Sequence, residues 1–393
     1  MKRSILCFFE NSTALSDSHS VHDGWEITIV RSRKEAFEAL AAGRFETVVI
    51  DARESNEEEK EFLTEVANRC PALARILLFH PTDKAAHSRS SGLADQCVPQ
   101  PCTMETLVAA AARAKLMHHW LANPALTRLL PRLRKLPSVP AVYLQVMEAL
   151  QSPDADLEEI GRIMSKDLVM TAKLLQIINS SFFALPRAIT SPAEAVAHLG
   201  LAQTKALVLL ASVFCNYTED KSSGFSLDQL WRHSLGTAEL ARRITQFETK
   251  NALMADEAFI AGMLHDVGKL FYAVNCPEEF HDLMVLKESN GATYLETEQQ
   301  MLGTTHAELG AFVLATWGLP AVILEGIAFH HTPARHAGER FCPVTAVHVA
   351  NALDHEMNSG STPARDSDLD KAYLARVGCE SRLTAWKDLS VAA

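Results

Sequence analysis

The residues best equipped for chemistry lie in the second half of the chain. The segment GMLHDVGKL, residues 262–270, sets an adjacent His265-Asp266 pair just ahead of Gly268 and Lys269. His233, His306 and the doublet His330-His331 flank it on either side. Neutral imidazoles with one carboxylate are the donor set that suits divalent transition ions. An ionised aspartate can bridge two such ions, and paired ions can activate water against a phosphoester. Taken singly, each histidine reads equally well as a surface or core residue; the combination is what points to a metal. Neighbouring helical residues lie about 100° apart. His265 and Asp266, or His330 and His331, would therefore straddle one face and reach an ion between them. The periodicity around the first pair predicts one helix from Asp256 to Tyr272.

The elements that must position these groups are bounded by composition. At 393 residues the chain calls for two domains, since domains centre on roughly 100–200 residues. Hydrophobic residues make up 48% and charged ones 22%, a globular balance. A net charge of −11 argues against a nucleic-acid-binding surface. The one basic stretch, Arg128 to Lys135, is short, contains Pro131 and reads as a solvated face. Eight cysteines without paired spacing read as small core residues of a reducing compartment. The apolar run near the start is shorter than the roughly 7–15 residues of a signal peptide. No stretch approaches the ~20 apolar residues of a membrane span. A cytoplasmic protein is expected.

Residues 1–120 alternate short apolar runs with helical patterns. Strands are expected at Ser4–Phe9, Glu26–Val30, Thr47–Ile50, Arg75–Phe79 and Gln96–Val98. Helices are expected at Lys34–Ala42, Glu57–Arg69 and Met104–Trp120. Such alternation implies a five-stranded parallel sheet of flavodoxin-like type, covered on both faces. Ligands of these folds bind at the carboxyl ends of strands, where Asp51 lies. The stretch resembles the receiver domain of bacterial response regulators, which makes Asp51 the candidate phosphoacceptor. It departs from that pattern at three places. The acidic pair after the first strand is Phe9-Glu10, the hydroxyl residue ending the fourth is replaced by Phe79 or His80, and the lysine before a proline is Gln100, before Pro101. Losing a carboxylate weakens a Mg²⁺ site, and losing the lysine removes the charge that would stabilise an acyl phosphate. The resemblance therefore implies a degenerate receiver that docks or dimerises without being phosphorylated.

Prolines 124, 131, 137 and 140 mark a junction, and beyond it helical periodicity takes over. Helices are expected at Val142–Ala149, Leu157–Ser165 (with Asp154 and Asp156 as capping candidates), Leu168–Asn179, Ala193–Leu199 and Thr204–Phe214. The sequences LPSVPAVYLQVMEAL, KDLVMTAKLLQIINSSFF and SPAEAVAHLGLAQTKALVLL resemble the HDOD domain, an all-α, usually non-catalytic member of the HD superfamily of metal-dependent phosphohydrolases. The superfamily includes the HD-GYP cyclic-dinucleotide phosphodiesterases.

That resemblance assigns roles residue by residue. Asp266 would bridge; His306, His330 and His331 would complete one metal position. His233 and His265 would serve a second, together with Asn351, which stands where the pattern has an aspartate. A neutral amide is the poorer ligand. Asp354, one turn further, does not match the pattern. Lys269 would lie near a substrate phosphate. After the doublet the chain reads Thr332-Pro333-Ala334-Arg335, without the Gly-Tyr-Pro of the phosphodiesterases. The remaining histidines, among them His336, His348 and His355, read as surface or core residues.

The resulting domain plan is a receiver-like unit at 1–122, a linker at 123–132, and the HDOD domain at 133–354. A mobile loop and C-terminal helix that packs back through Trp386 fill 355–393. The expected function is bacterial signal transduction through contacts with other signalling proteins, with a homodimer left open. One divalent metal is expected, with Fe, Mn, Zn and Ni not distinguished. The alternatives are a metal-dependent phosphohydrolase acting on a cyclic dinucleotide or nucleotide, and a nucleotide-binding sensor.

Overall fold

The computed structural model describes residues 3–9, 19–22, 24–43, 45–52, 57–79, 94–133, 157–165, 189–200, 225–290, 292–358 and 369–391. It also describes the single positions 145, 146, 149, 175, 178, 187, 204 and 208. The expected helices at 142–149, 168–179 and 204–214 lie wholly or largely outside these residues, as do Glu10, His80, Asp154 and Asp156. The chain divides into two compact units, Met1–Pro124 and Ala125–Ala393.

In the first unit, alternating side chains send two apolar sets to opposite faces of one sheet. The strands are β1 (Arg3–Phe8), β2 (His19–His22), β3 (Trp25–Val30), β4 (Thr47–Ala52), β5 (Ala74–Phe79) and β6 (Gln96–Pro99), in the order β2-β3-β1-β4-β5-β6. Ile5, Cys7, Ile27, Ile29, Val49, Ile76 and Leu78 pack with Leu107, Val108 and Ala111 of α3 (Met104–Leu121). Leu6, Phe8, Val48, Ile50 and Leu77 pack with Ala36 of α1 (Arg33–Ala42) and Phe62, Leu63 and Val66 of α2 (Glu57–Arg69). The five expected strands are present and parallel.

Among the described residues the sheet nevertheless has six strands. β2 pairs antiparallel with β3 at the edge. Four residues, HSVH, carry too little apolar pattern to announce a strand, although Asp23-Gly24 is a hairpin dipeptide and Gly24 has φ +78°.

The second unit is helical among the described residues. It opens with α4 (Pro124–Leu129) and a 3₁₀ turn at Leu130–Arg132, so the proline-marked junction is helical, with Leu126 and Leu129 buried. Arg132 pairs with Glu279. Next come α5 (Leu157–Met164) and α6 (Pro192–Leu199), the latter ended by Gly200 at φ 79°. Further helices follow: α7 (Leu227–Thr249), α8 (Ala252–Leu264), α9 (Val267–Asn275), α10 (Pro277–Asn290), α11 (Tyr294–Leu302), α12 (His306–Thr316), α13 (Ala321–Ala328) and α14 (Pro343–Asn358). The chain ends in α15 (Lys371–Arg376) and α16 (Leu383–Val391). Trp386 of α16 is fully buried and donates to Glu248 Oε1 of α7 at 2.9 Å. Among the described residues no helix is long and apolar enough to cross a membrane.

The helix expected across Asp256–Tyr272 is two helices. α8 stops at Leu264 and α9 starts at Val267, with Asp266 between them at φ −100°, ψ 4°. Apolar periodicity is continuous across the break because both sides are buried, so sequence pattern cannot see it.

Gly268 allows the first turn of α9 to sit on α12, because a Cβ there would collide with the His306 carbonyl. Alanine is the better helix former by about 1 kcal/mol, whereas overpacking a close helix contact costs typically about 1–3 kcal/mol or more. Gly268→Ala is therefore expected to lower the thermal midpoint by several degrees. A midpoint that rises would show that the two backbones are not in contact.

Candidate metal centre

The Asp266 side chain is 1% exposed and its two oxygens look in different directions. Oδ1 lies 3.0 Å from His306 Nε2 and 3.8 Å from His330 Nε2. Oδ2 accepts from Lys269 Nζ at 2.6 Å and lies 3.6 Å from His265 Nε2 and 3.7 Å from His233 Nε2. Two overlapping groups result. Asp266, His306, His330 and His331 each offer a ligand atom within 4.8 Å of the others', and so do His233, His265 and Asp266. Asn351 Oδ1 stands 3.0 Å from His233 Nε2, at the rim of the second group.

What orients the rings is a repeated local device. α8 ends, and His265 Nδ1 donates back to Gly262 O at 2.6 Å; α13 ends, and His330 Nδ1 donates back to Ile327 O at 2.7 Å. Carbonyls in the last turn of a helix lack intrahelical partners, so each takes the proton of an imidazole three residues on. Carboxylates do the same for the other rings. His306 Nδ1 faces Glu298 Oε2 at 2.7 Å, and His233 Nδ1 faces Asp354 Oδ2 at 2.6 Å. In all four cases the Nδ1 proton is committed, leaving the Nε2 lone pair aimed inward, as a metal requires.

Electrostatics favours neutral rings at His265, His330 and His331. Burial, reinforced by neighbouring imidazoles, holds His330 and His331 well below the usual histidine range. Burial likewise takes His265 down to about 3, against the pull of Asp266. For His306 burial is outweighed by Glu298 and Asp266, which raise it. Burial also opposes ionisation of Asp266, but Lys269, His265 and His306 together hold its carboxyl well below the ordinary value. The donors are thus a carboxylate, the neutral imidazoles of His265, His330 and His331, and His306, which must give up its Nε2 proton to a metal. Asp266 Oδ1 and the Nε2 atoms of His306, His330 and His331 are buried and make no hydrogen bond among the described residues. Orphaned acceptors converging in a buried site are costly unless a cation meets them, so these residues fit a divalent ion.

Sequence reasoning missed the groups that hold the ligands. Glu298 is fully buried eight residues before His306 and also accepts the His306 backbone N–H at 3.0 Å; no local spacing reveals it. Asp354 orients His233 and lies against Gly236 of α7, where a Cβ would collide with its carboxylate. His355 stacks on His233 with ring centroids 4.3 Å apart, and His348 Nδ1 donates to His330 O at 2.7 Å. Tyr294 lies beneath the Lys269 ammonium, 5.0 Å from ring centroid to Nζ. In the first unit, Gln100 Nε2 donates to Asp51 Oδ1 at 2.6 Å.

The HDOD domain model matches residues 136–333, half of the chain, and the chain belongs to that family. Its sequence is 26% identical over 254 residues to an uncharacterised protein of Treponema pallidum (strain Nichols); the match takes in 64% of this chain and about half, 48%, of the length of that relative. Among solved structures, an HDOD domain protein with unknown function from Geobacter sulfurreducens is 25% identical, with a TM-score of 0.53 over 68% of this chain and 91% of that one. A candidate signal transduction protein of Marinobacter aquaeolei VT8 shares the fold at 16% identity, with a TM-score of 0.53 over 91% of this chain and 86% of that one.

Supporting groups of this kind typically tune metal affinity about 10–100-fold. Glu298→Gln keeps the shape and an acceptor but drops the charge, so metal affinity in a chelator competition is expected to fall within that range. Glu298→Ala leaves two buried donors unpaired, each worth about 1–3 kcal/mol, and should also lower the thermal midpoint. An unchanged affinity in the glutamine variant would exclude Glu298 as a support of the site.

Proposed function

We propose that the chain is a signal-transduction protein of the HDOD family that acts through contacts with other proteins. In this reading one divalent ion braces its helical unit and supports no turnover. The observation that carries the proposal is the asymmetry of the site. Asp266 Oδ1 and the buried Nε2 atoms of three imidazoles form a full donor set for one ion. The other side offers His233 and His265, an Asp266 oxygen already bonded to Lys269, and the amide of Asn351. A bound ion would tie α9, α12 and the residues after α13 together and supply positive charge against Asp266. The first unit, in the same reading, is a receiver-like docking module whose Asp51 is engaged by Gln100.

Phosphohydrolase action on a cyclic dinucleotide or nucleotide is the second reading. It is favoured by the convergence of His233, His265 and Asp266 on one point, and it needs both positions filled, about 3.5–4 Å apart.

Elemental analysis of the purified chain separates the two. At most one tightly bound ion per chain is expected, with negligible hydrolysis of cyclic diguanylate, and Asp266→Ala should abolish metal retention. Asn351→Asp should raise the stoichiometry towards two. Two ions in the unaltered protein with rapid, metal-dependent hydrolysis would promote the enzyme.

For the first unit, incubation with a small phosphodonor and Mg²⁺ should leave the intact mass unchanged. A stoichiometric phosphoryl adduct lost in Asp51→Asn would make the unit a working receiver.

A further inference from the structure

A second constellation of reactive side chains lies outside the metal centre, in the loop between His331 and α14. Cys342 stands immediately before α14, and its carbonyl accepts the N–H of Ala346 at 3.2 Å. Its Sγ lies 3.9 Å from His336 Nδ1, while His336 Nε2 lies 3.5 Å from Glu325 Oε2 on α13. Gly338 donates its N–H to the same Nδ1 at 3.2 Å. Nδ1 is therefore an acceptor, and the proton of the neutral ring sits on Nε2, facing Glu325. The loop is drawn tightly round the imidazole, since a Cβ on Gly338 would collide with it. Arg376 of α15 clamps the loop from outside, donating to His336 O at 2.8 Å and to Ala334 O at 3.1 Å.

We propose that Cys342 is a nucleophilic thiol, activated by His336 as base and by Glu325 as the residue that positions the base, and that it reacts with hydroperoxides. The order thiol, imidazole, carboxylate is the arrangement that activates nucleophiles generally, and a helix N-terminus further favours the thiolate. The thiol proton passes to His336 Nδ1, which gives up the hydrogen bond from the Gly338 N–H as the ring becomes an imidazolium. The sulfur then attacks the terminal peroxide oxygen, an S–O bond forms and the O–O bond breaks. The departing alkoxide takes the proton back from His336. Sulfur is oxidised by two electrons to the sulfenic acid, and the peroxide is reduced to an alcohol.

The charged and titratable groups around the thiol are His336 and Arg376 on the positive side, and Glu325, Tyr373 and Cys379 on the other. Burial opposes the Cys342 thiolate, but the contacts with His336 outweigh it and bring the thiol below its ordinary value. The hydrogen bonds to Cys342 and Glu325 raise His336 to about 9. Burial instead pushes the Cys276 and Cys379 thiols up.

The test uses the full-length protein and peptide-resolved mass spectrometry of iodoacetamide alkylation between pH 5.5 and 9. One pKa unit changes the thiolate fraction tenfold. At pH 6.5 Cys342 is expected to alkylate severalfold faster than the half-buried Cys70 and Cys97. His336→Asn should remove that advantage and move the pH profile upward, and Glu325→Gln should move it the same way by less. Brief exposure to hydrogen peroxide with dimedone should then place the sulfenic-acid adduct on Cys342. The proposal fails if Cys342 alkylates no faster than Cys70, or if its profile is the same in both variants. Fast alkylation without a dimedone adduct would overturn the peroxide chemistry.

Discussion

A single negative charge set among packed helices governs the second unit. Removing a carboxylate from water costs several kcal/mol unless partners repay it, and Asp266 is 1% exposed. Lys269 bonds one of its oxygens at 2.6 Å, and the other faces the imidazoles. Those rings in turn need their own protons placed, which brings in Glu298 and Asp354. The close approach of α9 to α12 at Gly268 keeps this chain of dependence short, since it brings His306 and Asp266 within 3.0 Å. The centre is thus a nested set of charge compensations, and the fold around it serves to keep them dry.

Much of this was legible in the sequence, for reasons that differ by region. The α/β unit reads clearly because each strand is a short apolar run bounded by turn residues, and the observed strands match within a residue or two. Its edge strand was not legible, because His19–His22 is stabilised by pairing with β3 rather than by burial of an apolar face. In the helical unit the histidines and Asp266 that the fold brings together were legible as residue types in order. The break between α8 and α9 was not, since it is made by backbone dihedrals at Asp266 that leave the hydrophobic pattern unchanged. Glu298, Asp354 and Gly236 act by meeting residues far away in the chain, and a single sequence does not display such meetings. His336 lacked any ligand pattern because its partners, Cys342 and Glu325, come from a helix end and a separate helix.

The two units handle a carboxylate in opposite ways. Asp51, at the end of β4, is met by the neutral amide of Gln100 from the loop after β6. Asp266 is met by a full ammonium and by imidazoles. An amide satisfies one lone pair without supplying charge, so Gln100 does not stabilise the further negative charge of a phosphoryl group as a lysine would. An ammonium beside imidazoles makes the opposite environment, one that tolerates anions and competes with cations for the same oxygen. The first unit thus sets a neutral partner on its carboxylate, while the second surrounds its carboxylate with groups that can carry charge.

The carbonyls of Gly262 and Ile327 aim two of the imidazoles, and a carbonyl is present whatever side chain the position carries. Orientation of His265 and His330 is accordingly written into where α8 and α13 stop, and is insensitive to most substitutions at the anchoring positions themselves. In mutational terms the supporting framework is a small target. Ring geometry of this kind resists drift, because a change must disturb a helix terminus, rather than merely exchange a side chain, before the rings turn away.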